Sequence, residues 1–364
     1  MIVDYSYIFD KVRDLYSYLS YYNPKGEVFP PLRYTFDITY RCNLTCPYCY
    51  LGYKERNKDE LTTKEWFDVI DQVPRFGIIS WIGGEPLIRE DFLEIYEKSS
   101  KRTPYRVNVY SNGTLIDEKI ADSFIKNKLL CLSVSLDGYG KMHDENRKSE
   151  GSFDKIIGNL NMLSSKMKGK HNIILDVKTV LLENNLDDFV QLYELCTKMN
   201  IDFFSISIKR SGNVRENPNL RTEFGEEFYK NKLPFELYFD MEKFKAVYKE
   251  LEKISKHSKT RLRWAPKLSP KDAINEIQEL FSRTDCSVSE LYKPCLYPFS
   301  NTYVNPEGRV YPCLAYDIGS VREKPLMELV NSEKYRDFRL KLKKAKSFEA
   351  CQLCCELPYN KLKN

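Results

Sequence analysis

Residues 42–49 read CNLTCPYC, in which three cysteines stand at the spacing C-x3-C-x2-C. The segment follows an alternating run at residues 34–39, which predicts a loop directly after a β-strand. The nearest histidine is His143, so the loop offers three thiolates and no fourth ligand nearby. A closed zinc site or a fully ligated iron–sulfur cluster uses four protein ligands. Three thiolates suit a cubane cluster that keeps one iron open, and the alternatives are a zinc site completed by a distant residue or a chance grouping of cysteines.

Strands and helices alternate along the chain after this point. The pattern predicts strands at 34–39, 77–82, 105–110, 130–136, 172–180 and 202–208. It predicts helices at 63–72, 90–100, 116–127, 152–167 and 186–199. Such alternation indicates an α/β fold with a parallel sheet and helices outside, and six units are too few for a closed eight-fold barrel. We therefore expect the chemistry at the carboxyl ends of the strands.

Polar segments follow the predicted strands at these ends. GGEP at residues 83–86 follows the second strand, where paired glycines let backbone pass close to a ligand and Glu85 offers an acceptor for an ammonium group. SNG at residues 111–113 follows the third strand, and SLDG at residues 135–138 follows the fourth. HDENR and GSFD come next, at residues 143–147 and 151–154. Each segment alone is an ordinary polar turn.

Taken together, the cysteine loop and these segments resemble the radical S-adenosylmethionine (SAM) enzymes. The resemblance implies a partial (β/α)6 barrel and a [4Fe–4S] cluster whose open iron binds SAM. The implied cluster ligands are Cys42, Cys46 and Cys49. The implied SAM contacts are Tyr48, Gly83, Gly84, Glu85, Ser111, Asn112, Ser135, Arg147 and Leu181. In this family Glu85 would hold the SAM ammonium group, Ser135 would touch the ribose, and Arg147 would pair with the carboxylate. Val180 or Leu181 would pack on the adenine.

A second group of cysteines lies near the carboxyl end. Cys295 and Cys313 bracket a predicted hairpin whose turn is NPEG at residues 305–308. A predicted helix at residues 326–343 leads to CQLCC at residues 351–355. The four thiolates of a complete site would come from Cys295, Cys313, Cys351 and Cys354. On spacing alone, tetrahedral zinc is a rival to iron at this site.

The hairpin spacing C-x12-G-x4-C resembles the SPASM and twitch extensions, which hold auxiliary [4Fe–4S] clusters. The small number of cysteines that follow resembles the shorter twitch form with one cluster. Cys355 competes with Cys354 as a ligand, and Cys286 is a further candidate.

Length and composition argue against several other classes of protein. The net charge of +5 is spread along the 364 residues without a basic block, which gives no case for nucleic-acid or membrane binding. No apolar run reaches the ~20 residues that a membrane span needs, and no signal peptide is visible, so we expect a cytoplasmic protein. Eleven cysteines in such a chain favour metal ligands over disulfides.

We expect four regions along the chain. They are an N-terminal helical extension (1–33), the radical SAM partial barrel (34–210), a helical cover or linker (211–290) and a twitch/SPASM-like domain (291–364).

The resemblance implies an anaerobic enzyme that cleaves SAM reductively and abstracts a hydrogen atom from a substrate carbon. Enzymes with this extension mostly modify peptides by crosslinking, thioether formation, epimerisation or oxidation. A dehydrogenase or epimerase of a sugar or amino-cyclitol is the alternative. An electron donor such as flavodoxin or ferredoxin is implied as a partner. A non-catalytic zinc or iron–sulfur scaffold is a more distant alternative, since it would leave GGEP and SLDG without a role.

Overall fold

A computed structural model describes residues 5–49, 51, 59–209, 237–266, 268, 272–282, 287–313, 316–351, 354 and 356–360. The strands are β1 (Arg33–Asp37), β2 (Ile78–Ile82), β3 (Val107–Ser111), β4 (Cys131–Ser135), β5 (Ile174–Leu181), β6 (Phe203–Ile208), β7 (Arg261–Ala265), β8 (Asn301–Val304), β9 (Arg309–Tyr311) and β10 (Gly319–Ser320). The helices are α1 (Tyr5–Tyr21), α2 (Thr63–Asp71), α3 (Phe92–Arg102), α4 (Glu118–Lys126), α5 (Lys141–Arg147), α6 (Ser152–Met167), α7 (Phe189–Lys198), α8 (Met241–Ser255), α9 (Ala273–Ser282), α10 (Val288–Leu291), α11 (Leu326–Val330) and α12 (Glu333–Ala345).

All ten strands form one sheet in the order β10-β9-β8-β1-β2-β3-β4-β5-β6-β7. The strands from β8 through β1 to β7 are parallel, and β9 and β10 add an antiparallel edge. Within the described ranges, the edge strands β7 and β10 do not pair with each other, so the barrel stays open. The predicted α/β partial barrel is confirmed.

The six predicted strands are all present, but the prediction missed the seventh. β7 has the sequence RLRWA and lies in the region that we expected to be a helical cover. Its two arginines line the interior of the open barrel, where a soluble protein usually places apolar side chains. Because charged residues occupy its inner face, this strand lacks the apolar pattern from which the other strands were predicted. Residues 210–236 of that region lie outside the described part of the chain.

The outer and inner faces of the sheet differ in chemistry. Phe36 and Trp81 point outward and pack on Trp66 of α2, with ring centroids 5.5 and 5.2 Å from it, and all three are fully buried. Inward-facing positions instead carry small polar residues such as Ser80 and Ser205. Small inner side chains leave room in a barrel that bulky residues would fill. The interior is therefore a cavity rather than a packed core.

The two ends of the chain pack together beside the barrel. The Ser17 hydroxyl on α1 donates to that of Ser300 at 2.7 Å. Arg339 on α12 is fully buried and donates to the carbonyls of Pro298 at 2.7 Å and Gly26 at 3.1 Å. The carboxyl-terminal strands share the barrel's sheet through β8, and the boundaries of the four predicted regions stay a prediction.

Throughout the described part of the chain, each helix is either too short or too polar to cross a membrane.

Candidate active site at the carboxyl ends of the strands

A cavity of about 2300 Å³ occupies the open barrel. Three of its lining residues are the cysteines of the 42–49 loop, and four more are the cysteines of the carboxyl-terminal group. These seven are Cys42, Cys46, Cys49, Cys295, Cys313, Cys351 and Cys354. The fold thus brings two groups that are far apart in sequence to one shared space.

The cysteine loop carries hydrogen-bond donors that point at sulfur. The Leu44 N–H donates to Cys42 Sγ at 3.4 Å, and the guanidinium of Arg147 donates to Cys46 Sγ at 3.7 Å. Burial raises the pKa of both thiols, whereas a bound metal ion deprotonates a coordinating thiol. Donors aimed at sulfur stabilise a thiolate, so the residues present fit a ligated cluster.

The glycine pair at residues 83–84 fixes the segment that precedes the cysteine loop. The Gly84 N–H donates to the carbonyl of Thr39 at 2.8 Å. A Cβ on Gly84 would lie 2.1 Å from the carbonyl oxygen of Arg41, and one on Gly83, whose φ is +136°, would lie 2.6 Å from that of Thr39. Both glycines are therefore required by backbone packing against residues 39–41, in addition to any close approach of a ligand.

Glu85 is fully buried behind the cavity wall. Its carboxylate accepts from the Ser111 hydroxyl at 2.8 Å, the Asn112 N–H at 2.6 Å and the Leu87 N–H at 3.1 Å. Burial raises the pKa of Glu85 to about 7, and the hydrogen bonds oppose that rise. A carboxylate has about four acceptor positions, so one remains after these three bonds. Glu85 therefore holds Ser111 and Asn112 of the cavity wall in place. Its contact with a SAM ammonium group stays a prediction.

Asp137 is a site residue that the sequence reasoning missed, although it lies inside the SLDG segment. It is fully buried, accepts from the Tyr48 hydroxyl and the Val180 N–H, both at 2.6 Å, and forms an ion pair with Arg147. It therefore ties together the cysteine loop, α5 and β5. Arg147 lines the cavity with Asp137 as its partner, and its predicted pairing with a SAM carboxylate stays untested.

The backbone of Asp137 is also fixed. Its N–H donates to His143 Nδ1 at 3.0 Å, and its carbonyl accepts from the Asn146 amide at 2.7 Å. Burial lowers the pKa of His143 to about 4, which keeps the imidazole neutral and able to accept. His143 is therefore a structural hydrogen-bonding residue of this loop.

A second missed feature is the amide network beside Cys42. The Asn112 amide donates to Asn43 Oδ1 at 2.8 Å, and the Asn43 amide donates to the Thr114 hydroxyl at 2.9 Å. This network joins the cysteine loop to the segment after β3. Because Asn43 lies within the CNLTCPYC stretch, the sequence could have indicated that it belongs to the site. Its partners, Asn112 and Thr114, could not be predicted from the sequence.

Most of the predicted SAM contacts reach the cavity wall. Those that line it are Tyr48, Gly83, Gly84, Ser111, Asn112, Ser135 and Arg147. Leu181 does not line it: its side chain is fully buried in the core, and its carbonyl accepts from the Tyr238 hydroxyl at 3.0 Å. Because strand residues alternate between faces, the cavity-facing position is its neighbour Val180.

The carboxyl-terminal cysteines are held by local backbone bonds. The Cys295 N–H donates to the carbonyl of Lys346 at 2.8 Å, and the Cys354 N–H donates to that of Cys351 at 2.9 Å. Burial raises the pKa of Cys295 well above its usual value, and Cys351 and Cys313 raise it further. Cys355 and Cys286, the competing ligands, lie outside the described residues.

Models of two known protein families match the two segments of the chain that carry the cysteine groups. Residues 36–196 match the family model described as the radical SAM superfamily. Residues 295–355 match the SPASM model, described as an iron–sulfur cluster-binding domain. The two matched segments contain the two groups of cysteines.

Among curated proteins, the AdoMet-dependent heme synthase of Methanosarcina barkeri is 26% identical over 320 residues, which is 85% of each chain. The mycofactocin maturase MftC of Mycolicibacterium smegmatis is 29% identical over 168 residues, which is 44% of this chain and 41% of that protein. The match to the maturase therefore spans less than half of its length.

Among solved structures, Streptococcus suis SuiB bound to its precursor peptide SuiA aligns with a TM-score of 0.65 at 14% identity, covering 95% of this chain and 76% of that one. The protein anSMEcpe with bound AdoMet aligns with a TM-score of 0.60 at 19% identity, covering 90% and 89%. At these identities the alignments show a shared fold.

Proposed function

We propose, on the premise that this chain belongs to the radical SAM superfamily and carries a SPASM domain, that SAM and substrate meet in the cavity between its two cysteine groups. The cofactors of these domains are a SAM-binding [4Fe–4S] cluster, an auxiliary cluster and SAM. When bound, they supply a 5′-deoxyadenosyl radical that abstracts a hydrogen atom from a substrate carbon. The observation that carries the proposal is that both cysteine groups line one cavity.

In this proposal the chain's own residues bind and orient. Cys42, Cys46 and Cys49 hold the first cluster, and the wall of Ser111 and Asn112, fixed by Glu85, faces SAM. The ion pair of Asp137 and Arg147 supports the loop from the other side through Tyr48. Cys295, Cys313, Cys351 and Cys354 hold the auxiliary cluster, in the single-cluster twitch arrangement.

The proposed substrate is a peptide, modified by crosslinking, thioether formation, epimerisation or oxidation. Two proteins of the same fold have been solved with peptides, SuiB with SuiA and anSMEcpe with the Cp18Cys peptide. A cavity of about 2300 Å³ has room for several residues of a peptide chain. A flavodoxin or ferredoxin as electron donor and a cytoplasmic location are parts of the same proposal.

A small-molecule substrate is the second candidate. The relative that matches along 85% of both chains is named a heme synthase, and this match supports a small-molecule substrate. The match to the maturase, which supports a peptide, spans 44% of this chain. Dehydrogenation or epimerisation of a sugar or an amino-cyclitol would use the same site, but no described contact favours either of them.

The test is anaerobic reconstitution with iron and sulfide, followed by addition of SAM and dithionite. We expect 5′-deoxyadenosine and methionine to form in the absence of substrate. A protein that binds iron and releases no 5′-deoxyadenosine would instead be the non-catalytic scaffold. Supplying candidate peptides and tetrapyrroles in turn then separates the two substrate classes by the mass of the product.

A further inference from the structure

An exposed apolar stripe runs along α1, on the outside of the molecule. Leu15, Leu19 and Tyr22 follow one another at spacings of four and three residues, which places them on one face of a helix. They are 63%, 57% and 68% exposed. Tyr18, on the same face, stacks on Tyr22 with ring centroids 6.0 Å apart. Adjoining apolar side chains in contact with water mark a surface that binds another molecule.

Three lysines near the end of α12 lie beside this stripe. The ammonium group of Lys343 is 5.4 Å from the ring centroid of Tyr21 and 5.8 Å from that of Tyr22. Such contacts orient a cation without neutralising it. Lys344 and Lys346 are exposed. Within the part of the chain that the structure describes, none of the three lysines forms an ion pair.

The acidic residues described on these helices and on the segment between them either have partners or lie far from the lysines. Three of them form ion pairs: Asp14 with Arg13 at 3.0 Å, Glu27 with Arg336 at 3.0 Å, and Asp337 with Lys341 at 2.8 Å. Glu333 begins α12, ten residues before Lys343, which is about 15 Å along a helix axis. The three lysines therefore give this end of the surface a positive charge.

The same surface lies next to the second group of cysteines. The carbonyl of Lys346 accepts the N–H of Cys295 at 2.8 Å, while the Lys346 side chain is exposed. The ring of Tyr21 is 5.4 Å from that of Tyr22 and 5.0 Å from that of Phe299, four residues after Cys295. Aromatic contacts thus lead from the exposed Tyr22 to the segment that carries Cys295, and a protein bound here would lie close to the second site.

We propose that this surface binds an acidic electron-carrier protein. We call it the α1–α12 surface and define it by Leu15, Leu19, Tyr22, Lys343, Lys344 and Lys346. The inference rests on the proposed function, which includes an electron donor and assigns Cys295 to the auxiliary cluster. Apolar and aromatic side chains supply the contact area of an interface, and charges of opposite sign steer and orient the partner. A carrier whose redox group is surrounded by Asp and Glu side chains is complementary to these lysines.

The experiment titrates the anaerobically reconstituted full chain with two acidic probes, a flavodoxin and a ferredoxin, by calorimetry. Titrations are run at about 0.01 M and about 0.15 M salt, between which the Debye length falls from about 30 Å to about 8 Å. We expect at least one probe to bind, and to bind several-fold more tightly at the lower salt concentration. Cytochrome c, a basic electron carrier, serves as the probe of opposite charge and should not bind.

Two variants test the two parts of the surface. Lys343→Glu/Lys344→Glu/Lys346→Glu should weaken binding of the probe by roughly tenfold or more at low salt, because like charges across an interface repel. Leu15→Ser/Leu19→Ser should weaken it several-fold at both salt concentrations, because it removes apolar contact area.

The matched control reverses three exposed lysines on other helices. Lys119→Glu/Lys155→Glu/Lys249→Glu has the same net charge as the first variant and should bind the probe like the parent. Release of 5′-deoxyadenosine with dithionite, a small reductant that needs no docking surface, is measured on every variant together with a thermal melt. Both should match the parent, which separates loss of docking from loss of folding.

Three results would overturn the inference: neither acidic probe binds the parent, the variant at the α12 lysines binds like the parent, or the control variant loses as much affinity. A parent dimer that dissociates in Leu15→Ser/Leu19→Ser, with probe binding unchanged, would make the stripe an interface between copies of this chain and also overturn it. A parent that binds a probe but releases no 5′-deoxyadenosine with dithionite would defeat the proposed function and leave the docking surface in place.

Discussion

The two cysteine sites of this molecule are built in opposite ways. In the proposed function, the first takes all three ligands from residues 42–49, a single loop after β1. The proposed ligands of the second are spread between Cys295 and Cys354, and the segments between them contain β8, β9, α11 and α12. The first is thus a local motif placed by one strand, whereas the second is assembled by the packing of several elements.

Their surroundings differ as well. The first site has a charged and hydrogen-bonding support: Arg147 donates to Cys46, and the amides around Asn112 hold the loop. In the second, Cys295 is buried, and Phe338 and Phe348 of the same part of the chain also line the cavity. A site with an open iron needs polar groups for its ligand, while a fully ligated cluster needs enclosure. This difference predicts separate roles, which the following changes test.

The largest effect is expected from removing the first site. Changing Cys42, Cys46 and Cys49 together to Ala should abolish the release of 5′-deoxyadenosine and lower the iron content from about eight to about four per chain, since each [4Fe–4S] cluster carries four irons. Iron analysis and product chromatography measure both. Cys196→Ala, at a buried cysteine outside both groups, should keep about eight irons. Four irons in the unmutated protein, with zinc at the other site, would refute two clusters.

Removing the second site should separate cleavage of SAM from turnover of substrate. In Cys351→Ala/Cys354→Ala, 5′-deoxyadenosine should still form because the SAM-binding residues are elsewhere, but product should be lost.

A four-thiolate site can hold a small region folded, so a thermal melt and a SAM-binding measurement must accompany this assay. If the double variant folds, binds SAM and turns substrate over at the parent rate, the second site is merely structural and the two sites are less different than proposed.

Glu85→Ala tests the polar support of the first site. The Ser111 hydroxyl and the Asn112 N–H lose their shared acceptor, and a SAM ammonium group loses its predicted partner. A charged hydrogen bond contributes about 1.5–3 kcal/mol, so SAM affinity should fall roughly tenfold to hundredfold with iron content near normal. Calorimetric titration with SAM measures this. Glu90→Ala, at an exposed glutamate nearby, should leave the affinity unchanged. Equal affinities in the two variants would show that GGEP only anchors backbone.

The smallest effect is expected at Tyr48. Tyr48→Phe removes one hydrogen bond to Asp137, which still has Arg147 and the Val180 N–H as partners. The free energy of unfolding should fall by about 1.5 kcal/mol, the lower end for a hydrogen bond to a charged group, because the carboxylate keeps two other partners; both clusters should be retained. Denaturant titration of the reconstituted protein measures the change. Loss of the first cluster in this variant would mean that Tyr48 supports the cysteine loop much more directly than the geometry indicates.

The contrast between the two sites also separates what could be predicted from what could not. The order of six strands and the cysteine loop at 42–49 followed from local pattern, because period and spacing are properties of neighbouring residues. Asp137 was missed because its role depends on Tyr48, Arg147 and Val180, which come from three different elements. β7 was missed because its cavity-facing arginines break the apolar pattern of a barrel strand.

The sequence by itself therefore indicated the resemblance to radical SAM enzymes, the partial barrel and the two groups of cysteines. The tertiary structure alone decided that β8 pairs with β1, and this pairing brings the second group to the cavity of the first. It also decided that Glu85 lies behind the wall and that Val180 faces the cavity in place of Leu181. These features depend on contacts between residues far apart in the chain, and the free energy of such contacts is set by packing that no local pattern records.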